Sequence, residues 1–112
     1  MRKPSYVPDR GDIVWLQFNP QAGHEQAGHR PALVLSPASY NRASGLMLCC
    51  PMTSQKKAYP IEVVIDNEPG RTSVVLADQV KSLDWKVRQA VKKGTAPLDA
   101  VEETLSKIQA LL

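Results

Sequence analysis

Three short polar segments hold most of the residue types that bind or transform an anionic ligand. They are Glu25-Gln26-Ala27-Gly28-His29-Arg30, Thr53-Ser54-Gln55-Lys56-Lys57 and Asp78-Gln79-Val80-Lys81. Each adjoins an apolar run, at a point where a strand begins or ends. Taken singly, each is an ordinary solvated loop. Taken together at strand ends, they predict one shared cleft lined by hydrogen-bonding and cationic groups. Other chemistries find no footing in the sequence. The histidines, His24 and His29, lie in a glycine-containing loop, and no Asp, Glu, His and Cys cluster has metal-ligand spacing, so neither a metal site nor a cofactor is predicted. The phosphate-binding patterns G-x-x-x-x-G-K-[ST] and G-x-G-x-x-G do not occur, and no Ser or Cys sits in a nucleophile elbow.

With 112 residues, 43% of them hydrophobic and 22% charged, the chain has the size and composition of one domain with its own core, spanning residues 1–112. Its longest apolar stretch, residues 46–50, falls far short of the roughly 20 residues that cross a bilayer, so no membrane association is expected. The first residues, Met1-Arg2-Lys3-Pro4-Ser5, carry charge without an apolar stretch behind it, which predicts a cytoplasmic rather than a secreted protein. Cys49 and Cys50 are adjacent within an apolar run, where they cannot form an ordinary disulfide with each other; they read as reduced core or interface residues. The net charge of +3 is compatible with an anionic partner without demanding one. Lys81, Lys86, Arg88, Lys92 and Lys93 face only Asp84 in their stretch, and such a basic run reads first as a solvated face.

The elements that must position these groups follow from the apolar pattern. Residues 13–18, Ile-Val-Trp-Leu-Gln-Phe, read as a first strand in which Trp15 is a packed core residue. Residues 21–30 follow as a polar connection, long for so small a domain, of the kind that carries function. Residues 31–36 and 46–51 read as buried strands, with room for a helical turn between Pro37 and Gly45. Residues 61–65 and 73–77 flank Asp66-Asn67-Glu68-Pro69-Gly70-Arg71 and predict a hairpin. From Pro97 onward, Leu98, Val101, Leu105, Ile108 and Leu112 fall on one face of an amphipathic C-terminal helix. Five short strands and a terminal helix predict a small, strongly bent antiparallel barrel, since closure removes the edges that short strands would leave open.

Four elements of the sequence closely resemble the MazF/PemK family of toxin endoribonucleases. They are Gly11-Asp12-Ile13-Val14-Trp15; the run from Glu25 through Gly28-His29-Arg30-Pro31 into the apolar strand; Pro51-Met52-Thr53-Ser54; and Leu76-Ala77-Asp78-Gln79-Val80-Lys81-Ser82. The resemblance runs from about Tyr6 to Leu112. It implies a mainly β fold with a C-terminal helix, the small SH3-like antiparallel barrel of the MazF/PemK/CcdB-like fold. It also implies a homodimer that cleaves single-stranded RNA at short sequences without a metal and is neutralised by a cognate antitoxin through an acidic C-terminal segment.

Carried over residue by residue, the resemblance sets Arg30 and Thr53 on the catalytic positions. It sets Glu25, Gln26, His29, Ser54, Gln55, Lys56, Lys57, Asp78, Gln79 and Lys81 on or beside an RNA-binding groove. Metal-free RNA cleavage runs by attack of the 2′-OH on its own phosphate, giving a 2′,3′-cyclic phosphate and a 5′-OH, so the enzyme must orient the attack, move protons and stabilise charge on phosphorus. The planar fork of Arg30 suits the last task and makes a poor general base. Thr53 would donate a hydrogen bond to the same phosphate, and His29 or Glu25 is a conventional proton-transfer candidate. Gln26, Gln55 and Gln79 can pair with the edges of unstacked bases; Trp15 and Trp85 could serve as stacking surfaces, although the strand position of Trp15 favours packing. A different class, a binding toxin of the same fold and of the gyrase-inhibitor type, is the alternative; Arg30 and Thr53 together favour cleavage.

Overall fold

The computed structural model describes residues 6–18, 28–68 and 71–112. Seven strands and two helices follow one another as β1 (Asp12–Gln17), β2 (His29–Val34), α1 (Ala38–Ser44), β3 (Leu46–Thr53), β4 (Glu62–Glu68), β5 (Arg71–Leu76), a 3-10 turn (Ala77–Gln79), β6 (Lys81–Asp84), β7 (Val91–Thr95) and α2 (Leu98–Ala110). All pairings are antiparallel. The sheet runs β4-β5-β3-β2-β1-β7, and β6 also pairs with β3. β3 is the spine: its first half pairs with β6, from Leu46↔Asp84 to Cys49↔Lys81, and its last two residues pair with β5, as Met52↔Val75 and Thr53↔Val74. The 3-10 turn is the step between those two registers. The fold is mainly β with a C-terminal helix, as expected; the antiparallel sheet is strongly curled into a half-barrel, with β4 and β7 at its ends rather than paired to each other.

Strand alternation divides the apolar residues between two faces of this sheet. Ile13, Leu33, Cys50, Met52, Val63, Ile65 and Val75 pack inside the curl with Ala96, Ala100 and Val101. Val14, Leu16, Ala32, Val34, Met47 and Cys49 pack on the other face with Phe18, Leu83 and Trp85. The adjacent cysteines therefore enter different cores, and both are free thiols. Burial pushes each thiol up to about 12; Arg88 and Lys81 pull against that shift at Cys49, while Cys49 and Asp78 add to it at Cys50.

α1 occupies the interval between Pro37 and Gly45. Gly45 ends it in the left-handed region at φ 76°, its N–H donating to the Asn41 carbonyl at 3.0 Å. Asn41 is fully buried: its amide nitrogen donates to the carbonyls of Pro8 and Ser36, and its own carbonyl accepts from the Trp85 indole at 2.9 Å. One polar residue thus ties α1 to the N-terminal arm and to the turn after β6.

Three expectations need correction. β2 begins two residues earlier than expected and β3 ends two residues later, so His29, Arg30 and Thr53 are strand residues rather than loop residues. β6 and β7 lie inside the basic run: Leu83 is buried while Lys92 and Lys93 remain exposed, so a solvated face and an edge strand coincide there. On α2 the buried residues are Ala100, Val101 and Thr104, whereas Leu98 (72% exposed) and Leu105 face outward and Leu112 lies exposed beyond the helix end. Small Ala100 and Thr104, four apart on the buried face, let the helix lie close to the curled sheet, and Ile108 packs against the same core one turn on.

Candidate active site

Arg30 is half-buried on β2 and pairs across to Leu16 of β1. It shares its side of the strand with Ala32 and Val34, which belong to the Cys49 core. Thr53 ends β3, half-buried, on the side of Cys49 and Met47. The β2–β3 ladder pairs Val34 with Cys49, Leu33 with Cys50 and Ala32 with Pro51. Continued by two residues along both strands, that register sets Arg30 opposite Thr53 on one face. A guanidinium and a hydroxyl at adjacent strand ends can bind one phosphate, the first through its fork of N–H groups and the second through a single O–H.

Two further cations lie on this side of the sheet, near Cys49. Lys81 opens β6 opposite Cys49 and acts electrostatically on that thiol, as does Arg88. Arg88 lies in the turn after β6, where its guanidinium donates to the Gln17 carbonyl at 2.8 Å and its own carbonyl accepts the Gln17 N–H at 3.3 Å. That places Arg88 one residue along β1 from the Leu16↔Arg30 pair. Arg88 is a site candidate that sequence reasoning alone assigns to a basic surface; its signal is the charge excess between Lys81 and Lys93.

The loop after Thr53 carries Ser54, Gln55, Lys56 and Lys57, all exposed, and Thr53 Oγ1 accepts the Gln55 N–H at 3.2 Å. Asp78 and Gln79 sit on the 3-10 turn, Asp78 exposed and Gln79 half-buried, and Asp78 projects its charge onto Cys50 rather than Cys49. Glu25 and Gln26 lie outside the described residues.

His29 goes elsewhere. By strand alternation it points to the face opposite Arg30. There its ring stacks on Trp15, with centroids 5.3 Å apart and planes within 8°. Lys93 Nζ lies 4.7 Å from the centre of the same indole. Trp15 is therefore half-buried in an aromatic and cationic cluster rather than packed in the core. Trp85, 5% exposed and hydrogen-bonded to Asn41, offers no surface for stacking. Among the described residues, no three His, Cys, Asp or Glu side chains converge as a metal site would require, and no helix is long and apolar enough to cross a membrane.

Comparison with known proteins gives one consistent result. Residues 9–112 match the family described as PemK-like, MazF-like toxin of type II toxin-antitoxin system. The endoribonuclease toxin MazF of Escherichia coli K12 is 51% identical over 107 residues, 96% of each chain. Endoribonuclease PemK of Escherichia coli is 33% identical over 93% of this chain and 81% of its own. Among solved structures, MazF from Deinococcus radiodurans superposes with a TM-score of 0.90 at 54% identity, covering 96% of this chain and 97% of that one. A MazE-MazF structure from the same organism superposes with a TM-score of 0.82 at 48% identity, covering 96% of each chain.

Proposed function

The chain belongs to the PemK-like, MazF-like toxin family of type II toxin–antitoxin systems, and from that premise we propose how it acts. It is an endoribonuclease toxin held in check by an antitoxin partner. Its substrate is single-stranded RNA, cut in the cytoplasm by attack of the 2′-OH on the adjacent phosphate. Arg30 binds the phosphate and stabilises the charge that builds on it, and Thr53 donates a hydrogen bond to the same group. What supports this reading is the β2–β3 register, which runs from Val34↔Cys49 to Ala32↔Pro51 and, continued by two residues, brings Arg30 opposite Thr53, with Lys81 and Arg88 near Cys49 on the same side of the sheet. His29 stacks on Trp15 on the opposite face, so it holds the strand end or a base rather than moving the proton at the Arg30 phosphate.

The gyrase-inhibitor type of function is not favoured, because the close relatives carry endoribonuclease names. The toxin works as a homodimer; exposed Leu46 and Leu48 on β3, 37% and 41% exposed, are apolar surface that a second copy would cover. An acidic C-terminal segment of the antitoxin competes with RNA for the cations at Arg30, Lys56, Lys57 and Lys81. Incubating the purified protein with labelled single-stranded RNA in EDTA and mapping the cuts tests the activity. Discrete cuts at a short recurring sequence are expected, and intact RNA under these conditions would refute the reading.

A further inference from the structure

Residues 54–61 join β3 to β4 without strand or helix, and residues 54–60 are all exposed. Such a segment loses much conformational entropy when it is ordered, so something must hold it. Two side chains from outside do. Glu62 opens β4 and is only 6% exposed. Its carboxylate accepts the Lys57 N–H at 3.2 Å through both oxygens and the Ala58 N–H at 2.9 Å through Oε1. Ala58 has φ 61°, the left-handed region, which turns consecutive N–H groups toward one acceptor. The Glu62 N–H closes the turn onto the Tyr59 carbonyl at 3.0 Å.

From α2, Lys107 Nζ donates to the carbonyls of Pro60 at 2.6 Å and Glu62 at 2.9 Å, and pairs with Glu103 at 3.2 Å. The buried carboxylate thus engages main-chain N–H groups at Lys57, one of the loop's two lysines, and at the next residue, Ala58. We infer that Glu62, backed by Lys107, is a positioning residue for the substrate arm: it touches no RNA and sets the backbone from which Gln55, Lys56 and Lys57 reach the strand beside the cut phosphate.

This inference rests on the endoribonuclease reading, and its test separates the two. Glu62→Ala should raise KM for a single-stranded oligonucleotide about tenfold, as expected for losing hydrogen bonds to a charged acceptor, while kcat stays within about twofold. Glu62→Gln keeps Oε1, where both N–H groups converge, and should restore a KM close to wild type. Amide exchange at Lys57 and Ala58 should quicken in Glu62→Ala and stay slow in Glu62→Gln. Lys107→Met, which keeps the apolar stem, should raise KM by a smaller factor and keeps the test open if Glu62→Ala does not fold. An unchanged KM in Glu62→Ala, or Glu62→Gln behaving like Glu62→Ala, overturns the inference. A wild-type protein that cuts no RNA would instead overturn the endoribonuclease reading, and amide exchange would then still decide whether Glu62 holds the loop.

Discussion

Arg30 and Thr53 stand on strands paired to their neighbours, Arg30 with Leu16 and Thr53 with Val74, above residues that are wholly buried. The loop that begins one residue later is held by a single carboxylate, one lysine and one threonine hydroxyl. The first half of the site is fixed by cooperative pairing across a whole sheet, and no single side chain sets it. The second half can be loosened by one substitution. In the proposed mechanism, charge stabilisation at the phosphate thereby falls to the part held by strand pairing, and the grip on the rest of the RNA to the part held by a few side chains.

The sharpest way to break this division is Arg30→Ala. Loss of one donor to the developing oxyanion typically costs about 10²–10³ in rate, so kcat should fall by that factor while the thermal midpoint stays near wild type. Near-normal cleavage by this variant would move charge stabilisation to the loop cations and reverse the comparison.

Alkali tests the strand-held half through β3. Cys49 and Cys50 stay protonated in the folded protein up to about 12, whereas an unfolded thiol ionises near 9. Their contribution is fully present below pH 9 and is lost as pH rises from about 9 to about 12. The loss grows with each pH unit over that interval, because only the unfolded chain releases the thiol protons. Urea unfolding at pH 8 and pH 10 should show it, and a Cys49→Ala, Cys50→Ala double variant should lose stability less steeply than wild type over the same interval.

The smallest effect expected is on salt dependence. Removing Lys56 or Lys57 should leave kcat unchanged and reduce the slope of log affinity against log salt by about 0.7 for each phosphate that the lysine neutralises. A fall in kcat with no change in slope would put these lysines at the reacting phosphate.

Much of this arrangement is legible in the sequence, for physical reasons that differ by element. The strands of the core announce themselves because β-branched and apolar residues cluster at 13–18, 31–36, 46–51, 61–65 and 73–77. β6 and β7 do not, because an edge strand in contact with solvent carries lysines and presents only Leu83 to the core. The residue types Arg30 and Thr53 can be read directly, but their alignment depends on the β2–β3 register, which no local pattern encodes. Glu62 is invisible for a related reason: in the sequence it is one acidic residue in an apolar strand, and its partners are main-chain N–H groups brought to it by the turn at Ala58. Trp15 reads wrongly as core because its position in β1 predicts burial, while the cluster with His29 and Lys93 requires β2 and β7 to lie on either side of it.

In the proposed mechanism Arg30 and Thr53 serve an attack by the RNA's own 2′-OH. The direct measurement uses two oligonucleotides that differ only in the nucleotide 5′ of the cut phosphate, ribose in one and 2′-deoxyribose in the other, with EDTA present. Cleavage of the first to a 2′,3′-cyclic phosphate and a 5′-OH, with the second left intact, is the expected result. Cutting of the deoxy-substituted strand, or products ending in 5′-phosphate, would contradict the account.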